Sequence, residues 1–297
     1  MARKHWVWKI CEWCEADFRT KHMHQKTCCP SHGMKLFKKR ELEENEIGGI
    51  DQVWACGGGV QSVAIAALIY TGKLPKPNHS WIVDVGHEKS STFEYVKEIL
   101  QPKLLEVGVE LHIIKTLDYA DNLFFGNKNA MKLPLYLIEN GIVKKLSTRC
   151  SNSWKTRISN KWLKSKGVKR CDKWLGISID EKQRVASSRL KWNVNKYPLV
   201  DMGITRSDCI DLIARMGWPK PDHSFCYICP NQSDMQWQQT KENYPDDFRK
   251  AVEAEKEIRG VNPNMFLHRS CNPLDEINFD NYKFNGFYVG KKYYGNK

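Results

Sequence analysis

No apolar run in the chain approaches the roughly 20 residues that a membrane-spanning helix needs. The basic, aromatic N-terminus also has no signal-peptide core. A cytoplasmic protein without membrane association is therefore the expectation. Two nucleotide-binding signatures are missing too. The one glycine cluster is followed by no Lys-Ser/Thr, which excludes a Walker A loop, and it does not fit Gly-x-Gly-x-x-Gly. Aliphatic residues are scarce through the first 35 or so positions, so that stretch could scarcely fold without a staple. Acidic residues nearly vanish from residues 144–173, where Asp172 alone stands against eleven Lys and Arg.

With 297 residues, 41% hydrophobic and 27% charged, the chain suits a soluble globular protein of one large domain or two to three parts. Its net charge of +13 is uneven: residues 1–40 carry +7 and residues 144–173 carry +10, leaving −4 for the rest. Two concentrated basic blocks point to a polyanionic partner, nucleic acid (DNA or tRNA) above all. A solvated, solubilising surface is the plainer alternative. Eleven cysteines in a cytosolic setting read as metal ligands or redox groups rather than disulfides.

Cys11 and Cys14 form a Cys-x-x-Cys knuckle, followed by Cys28 and, after a three-residue spacer, His32. Such thiolates and an imidazole can close a tetrahedral Zn2+ site. Cys29 is an alternative fourth ligand, and His22 and His24 are weaker ones. The arrangement resembles short zinc ribbons, with Phe18 and a basic stretch between ligand pairs. It would present Arg19, Lys21, Lys26 and Lys38 to Arg40 to phosphates. A module over residues 1–40 and a charged linker over 41–50, ending at Gly48 and Gly49, are expected.

Residues 51–71 hold the central motif. Val53, Trp54 and Ala55 read as a buried strand, Gly57, Gly58 and Gly59 as a tight turn, and Val63 to Tyr70 as a helix. Glycines let backbone N–H groups approach an anion, and the helix start adds orphan donors, with Ser62 offering a hydroxyl. This is a phosphate cradle. The pattern then repeats: Trp81–Val85 is a short strand with Asp84 near its end, Gly86 turns the chain, and Ser91 or Thr92 caps a helix from Phe93 to Leu100. Leu111–Ile114 supplies a third strand. Alternating strands and helices imply a parallel, helix-covered sheet, with ligands beyond the strands' carboxyl ends. The glycine loop, Asp84 and Glu88 fall there.

In the second half, Cys226-Tyr-Ile-Cys229-Pro230 is another Cys-x-x-Cys, with Cys150 and Cys209 as distant partners. Four thiolates can hold zinc or a 4Fe–4S cluster, and buried inert thiols are the alternative. Cys171 and Cys271 stand alone and read as packing residues. Arg149, Lys155 and Arg157 lie on a basic helical stretch able to neutralise phosphates. Asp180, Glu181 and Arg184 follow a short apolar strand, suited either to magnesium and substrate or to capping a helix. Residues 234–259 read as helices broken at Pro245. The tail, rich in aromatics and Lys, suits base stacking or an edge hairpin.

The strand, glycine loop and Ser62, followed by Asp84-Val-Gly-His-Glu and Thr92, resemble the PP-loop superfamily of ATP pyrophosphatases. Within it, the 3′-phosphoadenylyl sulfate reductase-like branch, including phage-type members, is most similar. Gly57 stands where that family's loop has Ser, Gln61 where it has Asp, and Val85 where its second motif has Thr. The likeness extends over roughly residues 50–275, through LSTRCSNSWKTRISNKWL, WLGISIDEKQR, the segment around Cys226 and Cys229, and FLHRSCNPL. It implies an adenine-nucleotide α-hydrolase-like α/β fold, a parallel sheet with helices on both faces. A zinc ribbon precedes it and a mostly helical, cysteine-containing region follows. The expected divisions are a nucleotide-binding core over 51–146, a second part over 147–275 and a tail over 276–297.

The resemblance further implies ATP (or a sulfonucleotide) with Mg2+, held by Gly57, Gly58, Gly59, Val60, Gln61, Ser62, Asp84, Gly86 and Glu88. Ser62, Arg149, Lys155, Asp180, Glu181 and Arg184 would serve catalysis. It favours 4Fe–4S over zinc at the second cysteine set. The implied activity is adenylation with pyrophosphate release, for sulfur insertion or another modification of nucleic acid, with a sulfur donor such as a cysteine desulfurase. A sulfonucleotide reductase working with thioredoxin is one alternative. A non-catalytic, nucleotide-dependent nucleic-acid-binding protein is another.

Overall fold

A computed structural model describes residues 7–20, 25–36, 39, 49–118, 132–148 and 150–279. The chain forms two compact units. The first comprises Met1–Val83, Ser91–Ile114 and Asn160–Ser224; the second comprises Asp84–Ser90, Lys115–Ser159 and Phe225–Lys297.

The first unit opens with a hairpin in which β1 (Val7–Ile10) pairs antiparallel with β2 (Asp17–Thr20). Its main body is a five-stranded parallel sheet. The strands are β3 (Asp51–Cys56), β4 (His79–Asp84), β5 (Leu111–Lys115), β8 (Cys171–Leu175) and β9 (Asn193–Lys196), in the order β5-β4-β3-β8-β9. Central β3 is an apolar run because neighbours flank it and helices cover it. The helix after it, α1 (Val60–Tyr70), is buried from Val60 through Ile69. Its small residues, Ala64, Ala66 and Ala67, admit close neighbours on every side, including α6 (Arg206–Arg215).

Both sheet faces are covered, as the alternation along β4 shows. Ile82 joins the core around α1, while His79 and Trp81 point the other way and meet the Trp162 ring at 5.9 and 5.6 Å between centroids. Trp162 lies on α4 (Arg157–Ser165). The helical run after β4 is longer than its sequence implies: α2 (Ser90–Tyr95) passes through one π-helical turn, Val96–Leu100, into α3 (Gln101–Glu106). Pro102 lies inside this continuous run, just after the π-helical turn, where its missing N–H removes a helical hydrogen bond. The sheet draws strands from both sides of residue 146.

The N-terminal module is part of the same unit. Gly33 packs so tightly on Met202 that an added Cβ would sit 2.5 Å from the methionine Cα. Met34 packs against the core that α1 organises, which includes Met202. Most of the expected linker, residues 41–48, lies outside the described residues.

In the second unit, β6 (Tyr136–Glu139) and β7 (Ile142–Lys145) form a hairpin to which β10 (Met265–Phe266) adds antiparallel. Helices α7 (Asp234–Asn243) and α8 (Pro245–Val261) meet at Pro245, and the Ser233–Gln236 capping box starts α7. Among the described residues no helix is long and apolar enough to cross a membrane.

Candidate nucleotide and metal sites

In the first unit, the strand order reverses at β3. Chain connections run outward from β3 through β4 to β5, and then resume on its other flank with β8 and β9. Ligands of such sheets bind beyond the strand carboxyl ends at this switch point. The glycine loop occupies it. Ala55 pairs with Leu175, so Gly57 and Gly176 leave the sheet from adjacent strands. Gly176 lies so near the start of α1 that an added Cβ would be 3.0 Å from both the N and Oγ of Ser62 and 3.2 Å from the Gln61 carbonyl carbon. Gly58, at φ +73, has no such room either, since a Cβ there would meet Thr92 at 2.5 Å. The loop is pinned at Gly57: its N–H donates to Ser62 Oγ at 2.9 Å, and its carbonyl accepts from Ser224 Oγ at 2.7 Å. Helix α1 has no acidic residue in its first turn, so the partial positive charge of its N-terminus is not neutralised there.

Beside that turn lies a chain of polar contacts. Arg206 Nη1 donates to Gln61 Oε1 at 2.8 Å, and Gln61 Nε2 donates to Glu181 Oε2 at 3.1 Å. Arg184 Nη1 holds the same Glu181 oxygen at 2.9 Å. A carboxamide can accept from the guanidinium and donate to the carboxylate at once, which a carboxylate in its place cannot do. An Asp at position 61 would confront Glu181 with a like charge. Asp180 accepts from the Arg206 backbone N–H at 3.1 Å, at the N-terminus of α6. Thr205 and Asp208 complete that end as a capping box. Ser62, Gln61, Asp180, Glu181 and Arg184 are thus gathered within one unit. Such an end, with donors, a cation and a carboxylate, can take phosphates and the divalent ion that accompanies them.

A second polar cluster belongs to the other unit. Glu88, on a short bridge to Cys226, has a buried carboxylate. Lys155 Nζ sits 2.5 Å from its Oε1, and the Cys226 thiol lies 3.6 Å from the same oxygen. Its other oxygen, Oε2, is buried with no hydrogen-bond partner among the described residues. Although desolvation opposes it, Glu88 and the neighbouring thiols Cys226 and Cys150 hold the Lys155 ammonium above its ordinary pKa. Burial, reinforced by Glu88, raises the Cys226 thiol well above the ordinary value. Burial raises Cys150 and Cys229 too. These thiols and Glu88 feel one another's charge, and a cation would relieve both the orphaned oxygen and the reluctance to ionise. Asp84 turns back to accept the Gly86 N–H at 2.7 Å. His87 Nδ1 is 3.0 Å from the Tyr227 hydroxyl, and burial pulls its pKa down to about 4.

Cys209 is placed differently. It lies on α6, fully buried in the apolar core around α1, and desolvation pushes its thiol up to about 12. The structure brings Cys150, Cys226 and Cys229 into one unit and leaves Cys209 in the other. Arg149 lies outside the described residues, as do Lys21, His22, His24 and residues 280–297 of the tail.

The N-terminal ligands converge. One donor atom each from Cys11, Cys14, Cys28 and His32 all lie within 4.8 Å of one another. Cys28 Sγ is 3.1 Å from His32 Nδ1, and Cys14 Sγ is 3.8 Å from Cys28 Sγ. Tetrahedral zinc with Zn–S bonds near ~2.3 Å suits that spacing. Against the opposing effect of burial, backbone N–H groups of Cys14, Cys28 and Trp13 draw the Cys11 thiol down to about 6. Cys29 Sγ instead sits 3.1 Å from Ser31 Oγ, outside the set.

The fold is α/β and Rossmann-like. The chain matches no protein-family model and no curated protein. Among solved structures, it is similar to a phosphoadenylyl-sulfate reductase from Candida auris at 13% identity and a TM-score of 0.41, covering 65% of this chain and 82% of that one. It is also similar to the tRNA thiolase NcsA from Methanococcus maripaludis, which carries a 4Fe–4S cluster, at 16% identity and a TM-score of 0.44. That match covers 92% of this chain and 90% of the other.

Three residues of the candidate nucleotide site escape a reading of motifs. Gly176 has a sequence signal, a glycine directly after a strand, matching Gly57 after β3. Arg206 follows the Thr205 cap of a Thr-x-x-Asp box. Ser224 has no local signal at all.

Proposed function

We propose that the protein binds ATP at the glycine loop and transfers adenylate to a nucleic-acid substrate, releasing pyrophosphate, to prepare that substrate for sulfur insertion. The observation carrying the reading is the close approach of Gly176 to Ser62 at the switch point of the sheet. The Gly57 and Gly58 N–H groups are taken by Ser62 Oγ and Cys56 Sγ, so the N–H groups at the start of α1 would line the anion site. In the reaction, a substrate oxygen attacks the α-phosphorus, the new P–O bond forms, and the bond to pyrophosphate breaks. The loop and the N-terminus of α1 would hold the phosphates, with Arg206 and Arg184 as cations beside them. Glu181 would face the Mg2+ that accompanies ATP. AMP is then the leaving group when sulfur attacks the activated carbon.

Cys150, Cys226 and Cys229 would hold a metal centre for the sulfur step, with Lys155 and Glu88 setting its charge. The three thiols lie near enough to feel one another's charge, and a 4Fe–4S cluster is a centre that such thiolates hold. When bound, a 4Fe–4S cluster supplies a site that can carry sulfur. Sulfonucleotide reduction is less well supported, because Cys271, the cysteine nearest the C-terminus, is buried. The engagement of Gln61 with Arg206 and Glu181 favours a second reading, nucleotide binding without turnover.

Incubating the protein with α-labelled ATP and a pool of RNA or DNA tests the proposal. Nucleic-acid-dependent AMP and pyrophosphate are the expected products. Tight ATP binding without either product would leave the second reading in its place.

A further inference from the structure

The β1–β2 hairpin is two-faced. Register pairs Trp8 with Arg19 and Ile10 with Asp17, so these four side chains share one face. On the opposite face Lys9 donates to the Gln25 carbonyl at 3.1 Å, and Phe18 and Thr20 are buried. The first face is left to solvent: Trp8 is 70% exposed and Ile10 is 64% exposed. An indole and a large aliphatic side chain thus lie side by side, open to water, on a hairpin too short for its own core. The hairpin is also stiff. The knuckle between its strands supplies Cys11 and Cys14 to the four-ligand set, and the module is seated on Met202 through Gly33.

We propose that this face is a stacking platform for unpaired bases of a folded RNA. Charge identifies the occupant. Arg19 is directly across from Trp8, and residues 1–40 carry +7, so a phosphate strand is drawn to the module while a base lies on the indole. Asp17, across from Ile10, disfavours phosphate at the other end, so the backbone runs past the Trp8–Arg19 end. RNA rather than duplex DNA fits, because loops and bulges of folded RNA offer unstacked bases to aromatic side chains. A second indole, Trp13, has Lys35 Nζ 5.9 Å from its ring centroid and extends the aromatic–cation pattern to the knuckle. The inference rests on the nucleic-acid part of the proposed function alone. It does not depend on ATP chemistry.

Full-length protein without ATP is titrated into a fluorescein-labelled stem–loop RNA, its blunt duplex counterpart, and a single-stranded DNA of the loop sequence. Trp8→Phe and Trp8→Leu are compared, each with zinc content and sedimentation measured. Stacking predicts that Trp8→Phe binds the stem–loop nearly as wild type and Trp8→Leu roughly tenfold more weakly, with duplex binding unchanged. Arg19→Ala should lower the salt slope by about 1. Equal stem–loop binding by Trp8→Phe and Trp8→Leu would overturn the proposal, as would wild-type protein that binds no RNA. A tighter complex with the DNA strand would overturn the assignment to RNA. If Trp8→Leu instead converts a dimer to a monomer, the face belongs to a second copy of this chain and the proposal fails. Because ATP is omitted, loss of adenylation cannot mimic any of these results.

Discussion

Arg206 reaches Gln61 across 145 residues of sequence, with its guanidinium donating to the carboxamide oxygen at 2.8 Å. The carboxamide passes the interaction on to Glu181, so a neutral side chain stands between a cation and an anion. Gln61→Glu keeps the shape and replaces the donor with a second carboxylate facing Glu181. Stability at neutral pH should fall by roughly 1–3 kcal/mol. The paired carboxylates hold a proton more readily than isolated ones, so the loss should shrink as pH falls toward the carboxylate range. Urea unfolding of both proteins at pH 7 and pH 5 measures the difference.

Gly176→Ala should damage the proposed nucleotide site more than the fold. Its Cβ would press on the backbone of Gln61 and Ser62, which cannot rotate away as a side chain can. Titration calorimetry should show ATP affinity reduced at least about tenfold, with helix content preserved. Gly58→Ala combines a clash with Thr92 and a positive φ, and should cost stability as well. Unaltered ATP affinity in Gly176→Ala would remove the main support for nucleotide binding.

The four candidate zinc ligands divide cleanly from their neighbour. Elemental analysis of wild-type protein should find one zinc per chain, and His32→Ala and Cys28→Ser should each lose it. Cys29→Ser should keep it, because Cys29 is engaged with Ser31 outside the four-ligand set. Since the module packs on the core through Gly33 and Met34, chelation should also lower the melting temperature of the sheet-containing unit.

The remaining cysteines separate by unit. After anaerobic reconstitution with iron and sulfide, Cys150→Ser, Cys226→Ser and Cys229→Ser should each abolish or bleach absorption near ~400 nm. Cys209→Ala should leave the spectrum intact and cost only core packing, on the order of 1 kcal/mol. A spectrum lost in Cys209→Ala would bring that thiol back into the metal centre.

His87 makes the protein sensitive to mild acid. Its folded pKa of about 4 lies below the ordinary 6.5, so the unfolded chain takes up a proton that the folded chain refuses. Stability is full above about pH 6.5 and falls as pH drops toward 4, by roughly 1.4 kcal/mol per pH unit. His87→Gln should flatten the dependence of unfolding free energy on pH in that window. Parallel curves for the two proteins would show that another group titrates there.

Local chemistry was legible in the sequence. A glycine turn between an apolar strand and a small-residue helix can be read without coordinates, because every residue it needs lies within a dozen positions. The same holds for the Cys11–Cys14 knuckle with Cys28 and His32, where spacing alone restricts the geometry. The positions of strands β3, β4 and β5 followed from β-branched runs and turns. Tertiary structure decided the rest, because a parallel sheet joins distant segments. Pairing of β3 with β8 set Gly176 against Ser62, and the capped start of α6 carried Arg206 to Gln61. It also turned the Cys209 thiol, on α6, into the core around α1. Gln61 itself read as a departure from a motif. Only the folded chain shows the cation and the carboxylate that a carboxamide can satisfy together.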